Sequence, residues 1–281
     1  MISERNMASS TFELVIKPRR GWQSIDFREI WQYRELFGFL IWRDVKIRYK
    51  QTMLGGLWAV LQPLIAMFVF GGLLNRVAKI PSDGSPYMLF VYTGLVPWTF
   101  FANAVSLSSN SLVGGSGMMS KIYFPRILLP LGVIGALGFD MLVSLGFMGV
   151  LMVYYQWPVS SGIVLLPFFM IGCALAASSL GLILGAINVR YRDVKYVVPF
   201  LVQMMFFLTP VLYPLKVVPD QFKLLLGLNP MAGMIEGFRY ALLGSPVPWT
   251  LMVSSFVGSL LLFVFAMYYF RRMERTFVDV I

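Results

Sequence analysis

The chain has 281 residues, is 58% hydrophobic and only 13% charged, and sets 23 Lys and Arg against 13 Asp and Glu. That balance excludes a water-soluble domain and predicts an integral membrane protein. There is no histidine, and the single cysteine, Cys173, lies inside an apolar run. The commonest general base, intrachain disulfides and thiolate metal sites are therefore excluded.

Met1 to Gly21 is polar, and its longest apolar run, Leu14-Val15-Ile16, is far too short for the core of a cleavable signal. The N-terminus is expected to stay in the cytosol. Between Phe37 and Lys50 a helical wheel gathers Arg43, Lys46 and Lys50 on one arc. Phe37, Ile41, Val45 and Tyr49 fall opposite, with Trp42 beside them. This pattern predicts an amphipathic helix lying in the membrane interface. Asp44 and Arg48 share the border of the apolar arc at spacing i, i+4; they either pair with each other or reach into the membrane domain.

Met53 to Leu74 carries no charge, and its 22 residues make about 33 Å of helix, enough for a first span. After a polar loop, Asn75 to Pro86, a second span runs from Tyr87 to Leu107 with Pro97-Trp98 in its middle. Ser108 to Arg126, rich in Ser and Gly, reads as a cytosolic connection holding a short helix. Ile127 to Tyr155 is a third span, long enough to be tilted or broken, and it contains Asp140. Beyond the loop Gln156 to Gly162, a fourth span, Ile163 to Ile187, carries small residues at Gly172, Ala176, Ser179 and Ala186 that permit close helix packing. A basic loop, Asn188 to Lys195, precedes a short fifth span from Tyr196 to Leu212, interrupted by Pro199 and Pro210.

From Tyr213 to Val247 two apolar pieces, Phe222 to Leu228 and Met231 to Leu243, are too short to span. Asn229 and Pro230 suit an N-cap and first helical position, Gly244 suits the residue past a helix end, and Glu236 and Arg239 are spaced to pair at i, i+3. Two short helices dipping into the outer leaflet fit this pattern. An external loop with one surface helix is the alternative. A sixth span, Pro248 to Phe270, ends at Arg271-Arg272.

The expected fold is thus an all-α membrane protein in three parts. These are a cytosolic segment with the interfacial helix (1–52), a six-span domain with re-entrant helices near 213–247 (53–270), and a cytosolic tail (271–281). On this topology 18 of the 23 cations lie on the side of both termini. The positive-inside bias places that side in the cytosol and accounts for the basic charge without nucleic acid.

The chemistry is sparse. No G-x-x-x-x-G-K-[ST] loop is present; the nearest string, GGSGMMSK from Gly114 to Lys121, has the wrong ending. Asp140 sits at membrane depth, where a charge costs about 2.5 to 3.5 kcal/mol, so it is either functional or satisfied by polar neighbours such as Ser144. Aromatics make up 16% of the chain. Those of the first two spans either stack on sugar rings or face lipid. A glycan polymerase or transferase would need paired carboxylates, a base or a metal site, and no such constellation is visible.

RDVKIRYKQTMLGGLWAVLQPL (Arg43 to Leu64), NVRYRDV (Asn188 to Val194), TPVLYP (Thr209 to Pro214) and NPM (Asn229 to Met231) resemble the membrane subunit of bacterial ABC-type polysaccharide exporters, the ABC-2-type permeases. That family moves O-antigen, capsule or teichoic-acid chains, and the likeness covers nearly the whole sequence. It implies a homodimer enclosing a channel in the cytoplasmic membrane, served by two copies of a separate ABC ATPase subunit. ATP and Mg would be held by that partner, with no cofactor on this chain. A polyprenyl-pyrophosphate-linked polysaccharide would arrive at Arg43, Lys46, Arg48 and Lys50. Trp58, Phe68, Tyr92, Trp98 and Phe101 would line the channel. Ser116, Met118, Met119 and Lys121, with Arg190, Arg192 and Asp193, would contact the ATPase, and Pro210, Tyr213, Pro214, Glu236 and Arg239 would form an outer gate. The alternative readings are an ABC permease for another substrate, such as a teichoic acid, lipid or drug, a membrane-embedded glycan polymerase or transferase, and a passive channel.

Overall fold

The computed structural model describes residues 27–50, 55–73, 84–119, 121, 123–246, 249–274 and 277. The polar Met1 to Gly21 stretch, Met53 and Leu54 at the start of the first span, Arg76 and Lys79 in the loop after it, and Arg275 in the tail lie outside the described residues. Among the described residues every regular element is helical.

In chain order these are α1 (Phe27–Gln32), α2 (Arg34–Lys50), α3 (Leu57–Leu73), α4 (Tyr87–Gly114), α5 (Ser116–Met119) and α6 (Leu128–Tyr154). A 3-10 turn, Ser161–Leu165, leads into α7 (Leu166–Arg190). Then come α8 (Val194–Leu208), α9 (Asp220–Leu228), α10 (Pro230–Leu243) and α11 (Trp249–Glu274). Four helices are long and apolar enough to cross a membrane: α4, α6, α7 with its lead-in turn, and α11. Helices α3 and α8 are apolar but shorter, at 17 and 15 residues.

Helix α4 is the centre of the bundle, packed by α3, α6, α7, α8 and α10. Phe90, Tyr92, Phe101 and Ala104 on it are fully buried. It runs to Gly114, seven residues beyond the expected end at Leu107, so the polar connection begins later than its composition indicates. The serines explain this. Ser109 Oγ donates to the Ser106 carbonyl at 2.9 Å and Ser111 Oγ to Ser108 at 2.7 Å, while Asn110 Nδ2 reaches Ser106 at 2.8 Å. Polar side chains that bond back to their own helix are hidden within it and need no water. Pro97 is buried inside the same continuous helix.

The small residues of α7 pack as expected. Gly172, Ala176, Ser179 and Ala186 are all buried, and a Cβ on Gly181 would collide with Ser108 Oγ of α4. Helix α6 is a single unbroken helix. Helix α11 continues past Arg271-Arg272 to Glu274, whose carbonyl accepts from Arg126 Nη1 at 2.9 Å, a basic side chain satisfying a C-terminal carbonyl. Helix α8 stops at Leu208, four residues before the expected end, because Thr209 precedes a proline and adopts extended backbone (φ −102°, ψ 138°).

The caps of α10 form as the sequence predicts. Asn229 Oδ1 accepts from the Met231 amide at 3.0 Å, and Gly244 takes φ 73° while its amide bonds to Tyr240. Met231, Met234, Ile235, Phe238 and Ala241 have no exposure, and α10 packs against α11, α4 and α7. The surface-helix alternative is thereby overturned for this segment.

Candidate functional site

Helix α2 lies on α6 through buried Leu40 and Val45. Glycines on α6 permit the approach: a Cβ on Gly132 would sit 3.3 Å from Leu40 Cβ, and one on Gly135 2.7 Å from Ile41 Cδ1. The opposite face of α2 is not purely cationic. Phe39, Trp42 and Ile47 are exposed there between Arg43, Lys46 and Lys50, forming a groove of about 330 Å³. Trp42, 60% exposed, stands with the cations rather than beside the apolar arc. Interleaved rings and cations suit the boundary between headgroups and acyl chains, where rings bury and cations meet phosphate.

The last turn of α2 turns inward. Arg48 Nη1 pairs with Asp140 Oδ2 at 2.8 Å, and Tyr49 Oη donates to Asp140 Oδ1 at 2.9 Å. Asp44 is taken instead by Arg43 at 2.7 Å. Of the two options for Arg48, reaching into the bundle is the one realised. The carboxylate of Asp140 is satisfied from α2, not by Ser144. That hydroxyl lies 2.8 Å from the Ala59 carbonyl and 2.9 Å from the Asp140 carbonyl, joining α3 to α6. Burial pushes the Tyr49 phenol up to about 12, with the hydrogen bond and charge of Asp140 adding to the effect. The phenol therefore remains a donor.

Behind this cluster is a cavity of about 280 Å³ between α2, α3, α4 and α6. Its polar lining adds Gln62, Thr99 and Asn103 to the ion pair, and Trp58 and Phe100 supply flat walls. Asn103 Nδ2 donates to Gln62 Oε1 at 3.3 Å. Sequence reasoning missed both amides. The available signal was an Asn and a Gln inside otherwise apolar spans.

Several expected contact residues collect at the same end of the bundle. Asn188 Nδ2 donates to the Ser109 carbonyl at 3.0 Å and to Asn110 Oδ1 at 3.1 Å, tying the end of α7 to the end of α4. Arg43 Nη1 reaches Met118 Sδ of α5 at 3.8 Å. The short helix carrying Ser116, Met118 and Met119 follows directly on the end of α4, and Lys121, Arg190, Arg192 and Asp193 are exposed.

Elsewhere in the bundle a second ion pair is buried. Arg239 Nη1 pairs with Glu236 Oε1 at 2.6 Å, Nη2 donates to the Val211 carbonyl at 2.6 Å, and the guanidinium lies 3.7 Å from the Phe90 ring centroid. Nη1 also reaches the Tyr213 carbonyl at 3.4 Å, and Tyr87 Oη bonds to Leu212 at 3.0 Å. The turn with Pro210, Tyr213 and Pro214 is held onto α4 and α10 by these bonds. Gly94 makes room for it, since a Cβ there would lie 2.6 Å from the Val211 oxygen.

The aromatic residues divide. Trp58 and Phe68 are exposed on α3, whereas Tyr92, Trp98 and Phe101 are buried in the core. Tyr92 Oη donates to the Ser144 carbonyl at 3.2 Å, and Trp98 packs on Phe101 and Phe206 with ring centroids 5.5 Å apart in each case. Within the single chain these three pack in the core of the bundle.

Among the described residues an all-helical bundle with four apolar helices of membrane-crossing length defines a polytopic membrane protein. Residues 35–243 match the ABC-2 type transporter family, and the chain belongs to it. It is 35% identical over 215 residues to the O-antigen export system permease protein RfbA of Myxococcus xanthus, covering 75% of this chain and 82% of that one. The Klebsiella pneumoniae protein of the same name is 27% identical over 240 residues, covering 85% and 92%. The polysialic acid transport protein KpsM of Escherichia coli is 23% identical over 211 residues, covering 73% and 80%.

Proposed function

We propose that this chain is the permease subunit of an ATP-driven exporter that moves a lipid-linked polysaccharide, such as an O-antigen, across the cytoplasmic membrane. In this reading α3 and α8 also cross, giving six spans between a cytosolic segment, 1–52, and a cytosolic tail, 271–281. Helices α9 and α10 form the re-entrant outer region. A hydroxyl-rich glycan needs a wet, protein-lined path, because each unsatisfied polar group in hydrocarbon costs several kcal/mol. Six helices that pack on one another leave such a path most readily between two copies, so the working unit is a homodimer, with Trp58 and Phe68 on exposed faces beside the path.

The observation that carries the reading is the exposed cation-and-ring face of α2 next to a polar cavity. Arg43, Lys46 and Lys50 receive the diphosphate, arginine by forked hydrogen bonds and lysine as a point charge. Arg48, engaged by Asp140, positions the helix instead of serving the anion. Energy comes from two copies of an ATPase subunit seated against α5 and the Arg190 to Asp193 turn. ATP and Mg belong to that partner, and this chain is neither an enzyme nor a cofactor carrier.

Co-purification tests the assignment. A nucleotide-binding subunit is expected to accompany the full chain, and glycan export is expected to stop when ATP hydrolysis is blocked. Export that continues without ATP would make the protein a passive channel. Glycosidic bond formation by the purified chain would make it a polymerase.

A further inference from the structure

We propose that the open cavity bordered by α2, α3, α4 and α6 is a binding site for one neutral, hydroxyl-rich ring, a hexose-like sugar, distinct from the cationic face that takes the diphosphate. The inference rests on the export reading above and names a subsite within it.

Charge decides the ligand class. Among the described residues the cavity lining holds one cation and one anion, Arg48 and Asp140, paired at 2.8 Å, so they offer a phosphate no net attraction. Polarity excludes the other obvious occupant. A lipid tail placed here would leave the Gln62 amino group and the Asn103 carbonyl, the halves not used in the bond between the two amides, facing hydrocarbon, at a cost of roughly 1 to 3 kcal/mol for each group stripped of water without a partner. A sugar ring meets both demands. Its hydroxyls donate and accept, as the two amides do, and the carboxylate of Asp140 adds acceptor capacity. Its C–H face suits the flat walls of Trp58 and Phe100. Thr99 completes the set: its hydroxyl donates to the Leu95 carbonyl at 2.9 Å and keeps its lone pairs for an incoming hydroxyl.

The position fits the chemistry. Tyr49, on the cavity wall, and Lys50, on the cationic groove, are consecutive residues. A sugar in the cavity is therefore next to an anion on the outer face of α2, the order in which a diphosphate and its first sugar occur in a lipid-linked glycan.

Saturation-transfer NMR on the full chain in nanodiscs tests this, with glucose and galactose as probes, glycerol as the non-ring polyol control and inorganic pyrophosphate as the anion. At least one hexose is expected to bind saturably, and Gln62→Leu, Asn103→Leu and Trp58→Leu are each expected to weaken it about ten-fold, the equivalent of one lost hydrogen bond or stacking contact. Thermal unfolding confirms that a variant is folded. Gln62 is exposed on α3, so Gln62→Leu gives the readout if Asn103→Leu unfolds. A hexose signal indifferent to these variants, equalled by glycerol, or absent for both sugars overturns the site. Pyrophosphate reads the cationic face separately, so failure of the anion reading and failure of the sugar site are distinguishable.

Discussion

Two ion pairs in the bundle use the same chemistry for different purposes. Glu236 and Arg239 are one turn apart on α10, 2.6 Å apart in space, and their side chains are 5% and 0% exposed. Arg48 and Asp140 are 92 positions apart, 2.8 Å in space, 31% and 21% exposed, and they border an open cavity. The first pair is walled in by Phe90 and by carbonyls of the turn that it holds. The second joins a helix on the bundle's flank to the bundle itself. Sealing makes an ion pair a fixed bolt, since breaking it strands a charge; partial exposure makes it a join that water or ligand can open.

The comparison breaks first, and most visibly, at Arg239. Arg239→Ala is expected to destabilise the protein by about 3 to 5 kcal/mol, because the buried Glu236 carboxylate loses the guanidinium that neutralises it. Gly94→Val should injure the same turn by displacing the Val211 carbonyl. Both are measured by thermal unfolding in nanodiscs, and a melting temperature equal to the parent's would remove the bolt. Next in size, Asn229→Ala forfeits the α10 cap and the 2.8 Å bond from Nδ2 to Thr209 Oγ1. A loss of about 1 kcal/mol is expected.

Arg48 and Asp140 should couple more weakly. A double-mutant cycle with Arg48→Met and Asp140→Asn is expected to return no more than about 1 kcal/mol, in keeping with partial exposure. Hydrogen exchange across α2 should nevertheless quicken markedly in either single variant. Unchanged exchange would mean that Leu40 and Val45 alone hold the helix. The smallest effect is that of pH on Tyr49, whose folded value of about 12 stands above its ordinary 10.0. The folded state binds that proton more tightly. Its contribution is therefore fully present below pH 10 and fades as pH rises through about 12, and Tyr49→Phe should abolish the fading.

The same two pairs mark what the sequence could tell. Glu236 and Arg239 are local, so helical spacing predicts their contact, as it does the Asn229 and Gly244 caps. Apolar length likewise identifies α4, α6, α7 and α11 as candidate spans. Arg48 and Asp140 are brought together by tertiary packing alone, and nothing in a helical wheel distinguishes Asp44 from Asp140 as the partner of Arg48. Composition also misplaced the end of α4, because serines that bond back to their own helix count as loop formers on a polarity scale. Burial of Tyr92, Trp98 and Phe101 depends on which face of α4 meets α6 and α8, which an apolar run without periodicity does not encode.

The central claim is that the cationic face of α2 receives an anionic, lipid-linked glycan. Its most direct test is the affinity of a polyprenyl-diphosphate oligosaccharide for the full chain in nanodiscs, with the parent compared to Arg43→Ala, Lys46→Ala and Lys50→Ala combined. A fall of at least about a hundred-fold, from three lost charge-assisted contacts, with the thermal midpoint preserved, is the predicted result. Equal affinity in parent and triple variant would contradict it.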